Sequence, residues 1–212
     1  MIAIFNWFVK ITGWLPQKLI FRTKIYYEDR NVQSRKIKGK AIIASNHTSV
    51  YDYAVMLFVF FTRTIRYQMA EVLFKKKVLG LFLKMMGGIY VNRDTHDFSF
   101  IYKSNDYLQK GQVIGCFPES RLPRVDEKPL LEFKTSTAYI AIMSEAPIVP
   151  VYTDGVYFKS KRARVIIGTP IFLQEVYDDK LSEKENIELL NNVLRNKIID
   201  LRRQLDERKK EK

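Results

Sequence analysis

The sequence predicts an α/β fold: a single mixed central sheet flanked by helices, preceded by an N-terminal amphipathic helical segment. Three observations carry this. Short runs rich in β-branched residues alternate with longer apolar stretches of helical length, the pattern of a sheet covered on both faces. The chain has 212 residues, 47% apolar and 28% charged, with nine Gly and seven Pro, a composition suited to one domain with a full core. The first 21 residues, MIAIFNWFVKITGWLPQKLIF, differ in character from the rest of the chain.

In that opening segment Lys10 and Lys18 interrupt the apolar residues, and Gly13 and Pro16 predict a break. Its longest uncharged stretch, Met1 to Val9, has nine residues, well below the roughly 20 needed to cross a bilayer. It lacks the basic leading region and small-residue cleavage site of a signal peptide. Both tryptophans of the chain, Trp7 and Trp14, lie here beside the lysines, which suits a helix in a membrane interface better than an ordinary core helix. The expected division is a membrane-interface segment over 1–23 and the main domain over 24–212.

From Lys24 the elements come in order. Strands are predicted at Lys24–Tyr27 and Lys40–Ala44, then a helix at Val50–Thr62 and a second at Leu79–Met86, ended by Gly87-Gly88. Ile89–Val91 reads as a strand, and Phe98–Lys110 as a helix closed by Gly111. Val113–Phe117, Ile148–Tyr152 and Arg164–Ile167 read as strands, with a helix at Ser136–Ser144 before the second of them. A long charged amphipathic helix runs from Leu181 to about Lys209, its RRQLDERKKEK end reading as solvated. The Leu79–Met86 helix is expected to be mostly core, with a share lining a ligand tunnel, and Lys75-Lys76-Lys77 to face solvent or headgroups.

The net charge of +13 attracts polyanions in general, whether nucleic acid, anionic lipid or an acidic carrier. The nearest approach to a nucleic-acid pattern is Tyr152, Tyr157, Phe158, Lys159, Lys161, Arg162 and Arg164, where no reading motif is complete, so no nucleic-acid partner is expected. The single cysteine, Cys116, excludes an intramolecular disulfide and lies in an apolar run that predicts a buried thiol rather than a nucleophile. Two histidines, His47 and His96, without ligand-like spacing, argue against a metal centre.

The chemistry concentrates in Asn46-His47-Thr48-Ser49-Val50-Tyr51-Asp52. A strand runs into this segment and a helix leaves it, with Thr48 or Ser49 expected to cap that helix. Residues five apart on one helix face different ways, but His47 just outside the helix can fold its ring back onto Asp52. The carboxylate then holds Nδ1–H and leaves Nε2 as a general base. His-x4-Asp alone is a weak pattern, equally that of a capping histidine and an exposed acid.

Three further segments come in order: Gly88-Ile89-Tyr90-Val91-Asn92-Arg93, Phe117-Pro118-Glu119-Ser120-Arg121 and Ala146-Pro147-Ile148-Val149-Pro150-Val151. With the first, they resemble the four sequence blocks of the 1-acyl-sn-glycerol-3-phosphate acyltransferase family, over about 130 residues from Ala41 to Pro170. The resemblance implies a sheet-plus-helices fold with an N-terminal membrane-binding motif, at the cytoplasmic face of the cell membrane. It implies transfer of an acyl group from an acyl carrier protein or coenzyme A thioester to the hydroxyl of a lysophospholipid, with no resident cofactor. His47 and Asp52 correspond to the base and its orienting partner, and Arg93 to an arginine that grips the acceptor phosphate. Glu119 and Arg121 fall in the third block and Pro150 in the apolar fourth, while Asn46 adjoins the base on the substrate side.

The third block of that family usually reads Phe-Pro-Glu-Gly-Thr-Arg; here Ser120 takes the glycine place and Arg121 arrives one residue early. Arg121 and Arg124 are both candidates for its arginine. The family's later Phe-Lys is present as Phe133-Lys134, with Ser136 where a glycine is frequent. Asn92 stands where the second block commonly has an acid. Lysophosphatidic acid is the default acceptor, and the altered block leaves room for glycerol 3-phosphate, another lysophospholipid or a lyso-lipid without a phosphomonoester. The competing readings are a catalytically inactive membrane-associated scaffold of the same fold and a basic nucleic-acid-binding protein.

Overall fold

The structure, a computed structural model, describes residues 1–92, 97–127, 130–158 and 162–210, with side chains to 208, and these build a seven-stranded sheet. In chain order the strands are β1 (Lys24–Tyr27), β2 (Ala41–Ser45), β3 (Ile65–Ala70), β4 (Ile89–Val91), β5 (Val113–Cys116), β6 (Ile148–Thr153) and β7 (Arg164–Ile167). Side by side they run β1-β7-β6-β2-β5-β3-β4. From β6 to β4 all pairings are parallel; β7 runs against β6, and β1 runs with β7. The sheet is therefore mixed, and β2 at its middle is buried at every residue, as a parallel strand covered on both sides must be.

Strand β3 is an addition to the predicted set. Its residues Ile65, Tyr67 and Met69 are buried while Arg66 and Gln68 are half-buried, a period of two that the neighbouring apolar helices mask in the sequence. The ring of Tyr67 lies over Gly115 of β5, where any Cβ would sit 2.5 Å from the aromatic carbons. Gly115 is required by that close approach.

One face of the sheet is covered by α1 (Ile2–Ile20), α2 (Asp52–Val59), α3 (Glu71–Phe74) and α4 (Lys77–Met85), with Val55, Met56, Val59 and Leu83 packed on Ile43, Val113 and Val149. The other is covered by α5 (Ser99–Gln109), α6 (Ser136–Ser144) and α7 (Glu183–Lys210), with Leu108, Ile140, Leu190, Leu194 and Ile198 packed on Ile42, Ala44, Ile114 and Ile148. Side chains of β2 thus divide strictly between the two cores, Ala41 and Ile43 against Ile42 and Ala44. The helix expected over Val50–Thr62 contracts to α2.

The break predicted at Gly13 and Pro16 does not occur: α1 is continuous. Gly13 gives close approach to α2, since a Cβ there would stand 2.9 Å from Phe58 Cζ. Packing of this kind outweighs the weak helical preference of glycine and the one backbone bond that Pro16 removes. The polarity of α1 is inverted relative to an ordinary surface helix. Asn6 and Lys10 face inward and are buried, while Ile4 (75% exposed), Phe8 (61%) and Leu19 (67%) face outward with Trp7 and Trp14. Lys10 Nζ donates to the carbonyls of Phe60 (3.3 Å), Phe61 (3.0 Å) and Arg63 (2.6 Å), just past the end of α2. Burial pushes the Lys10 ammonium down to about 8, so at neutral pH it keeps its charge and its three N–H donors.

Candidate active site

The carboxyl ends of β2, β5, β3 and β4 meet at one edge of the sheet. The chain leaving β2 enters α2 on one face, and the chain leaving β5 reaches α6 on the other. A crevice opens where successive connections diverge in this way. Asn46 continues β2 into it. Its side-chain Nδ2 donates to Thr153 O (3.0 Å) and its Oδ1 accepts from Thr153 N (2.8 Å), so the buried amide pairs with the backbone at the end of β6 as another strand residue would.

His47 and Asp52 meet as the turn geometry predicts, with Nδ1 2.9 Å from Asp52 Oδ2. Asp52 opens α2 and is fully buried. The same Oδ2 accepts from the amides of Thr48 (2.6 Å) and Ser49 (2.9 Å), while Oδ1 accepts from Thr48 Oγ1 (3.0 Å) and the phenol of Tyr157 (2.6 Å). Convergent donors are what allow a carboxylate to be taken out of water. The expected cap is therefore reversed: neither Thr48 nor Ser49 caps α2, whose N-cap residue is Tyr51, and the helix's first carboxylate binds the turn before it. With Nδ1 committed, the neutral ring presents Nε2 as an acceptor, a tautomer assigned from this hydrogen bond. The imidazole is also clamped by Phe117, stacked at 4.1 Å and 8°.

Glu119 binds two backbone amides. It is buried, its Oε1 accepts from the amide of His47 (2.8 Å), and its Oε2 accepts from that of Leu131 (2.7 Å). Burial raises its carboxyl above the ordinary range, opposed by these two amides. Glu119 thus fastens the end of β2 to the loop between β5 and α6. The next residue, Ser120, has φ +59°, in the left-handed region that favours glycine. The departure at this position changes the side chain and keeps the glycine backbone shape.

A cavity of about 670 Å³ extends from His47 along the edge of the sheet. Its lining includes the apolar Tyr53, Met69, Leu73, Leu79, Leu83 and Phe98; α4 thus lends two leucines to it but is otherwise exposed rather than mostly core, with Val78 and Leu81 facing outward. It also includes the polar Asn92, Ser120, Lys134 and Ser136. Lys134 is exposed at the rim, and its ammonium has no partner among the described residues. Arg121 is exposed and forms a two-pronged pair with Glu127 (2.5 and 2.6 Å), which holds the Glu127 carboxyl down at about 2. The backbone of Arg124 donates to the same carboxylate (2.8 Å). Pro150 is buried within β6 beside Ala44, its carbonyl accepting from Gly168 N (2.9 Å). Arg121, Arg124 and Pro150 are not among the described residues lining the cavity. Arg93 and His96 lie outside the described residues.

Cys116 is buried, 3.4 Å from Thr137 Oγ1, and its thiol is pushed up to about 12 by desolvation, which leaves no thiolate for attack at neutral pH. No group of three metal-ligating side chains occurs among the described residues. The sequence reading misses Tyr157, whose hydroxyl reaches Asp52 from 105 residues away. In sequence it is one aromatic in a basic stretch, with no spacing that marks it.

The model of the family described as Acyltransferase matches residues 24–154. The chain is 28% identical over 171 residues to the 1-acyl-sn-glycerol-3-phosphate acyltransferase of Bacillus subtilis, covering 78% of this chain and 83% of that protein. It is 25% identical over 166 residues to the human 1-acyl-sn-glycerol-3-phosphate acyltransferase beta, covering 76% of this chain and 59% of that one. Among solved structures, the crystal structure of the 1-acyl-sn-glycerophosphate acyltransferase PlsC from Thermotoga maritima superposes with a TM-score of 0.62 at 19% identity, over 95% of this chain and 79% of that one. This last likeness is one of fold.

Proposed function

Because the chain belongs to the acyltransferase family, we propose that it moves an acyl group from a thioester of acyl carrier protein or coenzyme A onto the free hydroxyl of lysophosphatidic acid or a related lysophospholipid. The observation that carries this reading is the His47–Asp52 contact, with His47 in the lining of a largely apolar cavity. Nε2 of His47 removes the proton of the acceptor hydroxyl as its oxygen attacks the thioester carbonyl. The tetrahedral intermediate collapses to the ester, and the departing thiolate takes the proton back from the imidazolium. Asp52 orients the ring and stabilises its charged form. No covalent enzyme intermediate and no resident cofactor are needed, which agrees with the unreactive setting of Cys116.

The apolar side chains of the cavity are suited to an acyl chain and its polar ones to an anionic headgroup. Lys134 at the rim supports the second assignment, together with Arg93, Arg121 and Arg124 on the grounds of the family resemblance. The outward apolar side of α1 supports attachment to an anionic membrane from its cytoplasmic face; no described helix is long and apolar enough to cross a bilayer.

The test is a panel of lysophospholipids and glycerol 3-phosphate offered with acyl-coenzyme A and acyl carrier protein donors on anionic vesicles, products read by mass spectrometry. Lysophosphatidic acid is expected to give phosphatidic acid, and His47→Ala to lower turnover at least about 10³-fold with vesicle binding intact. Substantial turnover by that variant would remove His47 as the base.

A further inference from the structure

We infer that Tyr157 is a positioning residue for the His47–Asp52 pair, fixing one oxygen of the carboxylate so that the other is aimed at the imidazole. This rests on the reading of His47 as the base. The phenol lies 2.6 Å from Asp52 Oδ1 and 3.1 Å from Thr153 Oγ1, and the residue is 6% exposed. Thr153 alone would satisfy a buried hydroxyl, yet the shorter contact is the one to the carboxylate. Oδ2 serves His47 and two amides, whereas Oδ1 has the side chains of Thr48 and Tyr157. Without the phenol, rotation of the carboxylate is opposed on that side by one hydroxyl.

The segment that carries Tyr157 is itself fastened to the turn that carries His47. Asn46 binds both backbone groups of Thr153. Asp154 is held by Arg164, from its amide (2.9 Å) and its Nε (2.8 Å). Gly155, at φ +64°, lies flat against Thr48, where a Cβ would collide with the threonine hydroxyl. The ring of Tyr157 meets Phe21, just past the end of α1, edge to face at 5.6 Å. Desolvation and the charge of Asp52 raise the Tyr157 hydroxyl far above its ordinary range, so it remains a donor wherever the enzyme works.

Tyr157→Phe removes this one donor and keeps the ring. With one donor fewer on Oδ1, the carboxylate is less firmly fixed and the imidazole it holds is less firmly aimed. The other titratable groups near the pair, all kept in the variant, are Glu119 just past β5, Cys116 within it, Tyr67 of β3, Tyr53 of α2 and Asp154 beside Thr153. The chain has two histidines, so the His47 ring is readily followed by NMR beside His96. In Tyr157→Phe the Nδ1 proton resonance of His47 is expected to shift. The pH profile of kcat should be displaced along with it, with kcat down about tenfold and KM for both substrates unchanged. Thr153→Val, which takes away the phenol's other contact, should leave resonance and profile in place. An unmoved resonance and profile in Tyr157→Phe, or equal displacement in both variants, overturns the inference. A shifted resonance in a protein whose unmutated form transfers no acyl group would keep the positioning role and remove the proposed function.

Discussion

The two loops that flank the crevice, after β2 and after β5, solve the placement of charge in opposite ways. After β2 a fully buried carboxylate gathers donors from two amides, the imidazole and the Thr48 hydroxyl, all within the same turn, and from the distant phenol of Tyr157. After β5 the near end is just as rigid, with Glu119 buried on two amides, but its far end closes on itself in solvent through Arg121 and Glu127. A buried ion must be over-determined by its neighbours to exist at all, whereas an exposed pair is free of that demand and contributes little to the fold. Rigidity at this edge therefore falls with distance from the strand ends. His47 is mounted at the stiff end, and the exposed Arg121–Glu127 pair lies at the looser one.

Asp52→Asn tests the stiff end most severely. The amide brings N–H donors to oxygens that now receive donors and turns the imidazole toward the wrong tautomer. Transfer should fall about 10³- to 10⁴-fold, and chemical denaturation should show a loss of about 3 kcal/mol. A variant with near-normal activity would mean that the gathered donors hold the turn alone.

Glu119→Gln should rank next, with turnover down about 10²-fold, because the amide accepts from one backbone N–H and confronts the other. Its pH signature has a defined sign. The folded Glu119 carboxyl titrates above its unfolded value near 4.5, so its contribution is present below that value and is lost as pH rises through the raised one. The stability difference between wild type and variant, tracked by denaturant midpoints, should accordingly shrink as pH increases above about 4.5. A gap that widens with pH would contradict the assignment of burial as the dominant influence.

Ser120→Gly should have the smallest effect and the opposite sign. Restoring glycine at φ +59° should stabilise the protein by about 0.5–1 kcal/mol, read as a rise in melting temperature. An unaltered melting temperature would show that the serine side chain compensates its own strain.

Much of this architecture is legible in the sequence because short strands and their breakers stand close together. The bounds of β1, β4, β7 and α6 coincide with those read from the residues, and Gly87-Gly88 ends α4 and leads into β4 as expected. The reading fails where tertiary contact overrides local preference. Thr62 to Ala70 holds β3 in a stretch whose Arg66 and Gln68 dilute its apolar character, and α1 runs through Gly13 and Pro16 because Phe58 and the carbonyls beyond α2 hold it. Within the site, His47 and Asp52 are legible since both belong to one turn. The contacts around them are not: Glu119, legible as a third-block residue, meets the His47 amide from 72 residues away, and Tyr157 reaches Asp52 from 105.

The lysine of α1 has a consequence at the other end of α2. That helix is eight residues long, begins at the carboxylate that orients His47, and ends at carbonyls gripped by Lys10. Outer helix and imidazole are consequently parts of one rigid mount and not an anchor on a tether. In the proposed membrane-bound orientation the base then works at a set height relative to the lipid surface. Acceptors would be sorted by the level at which their hydroxyl rides, with the protein acting as a depth gauge.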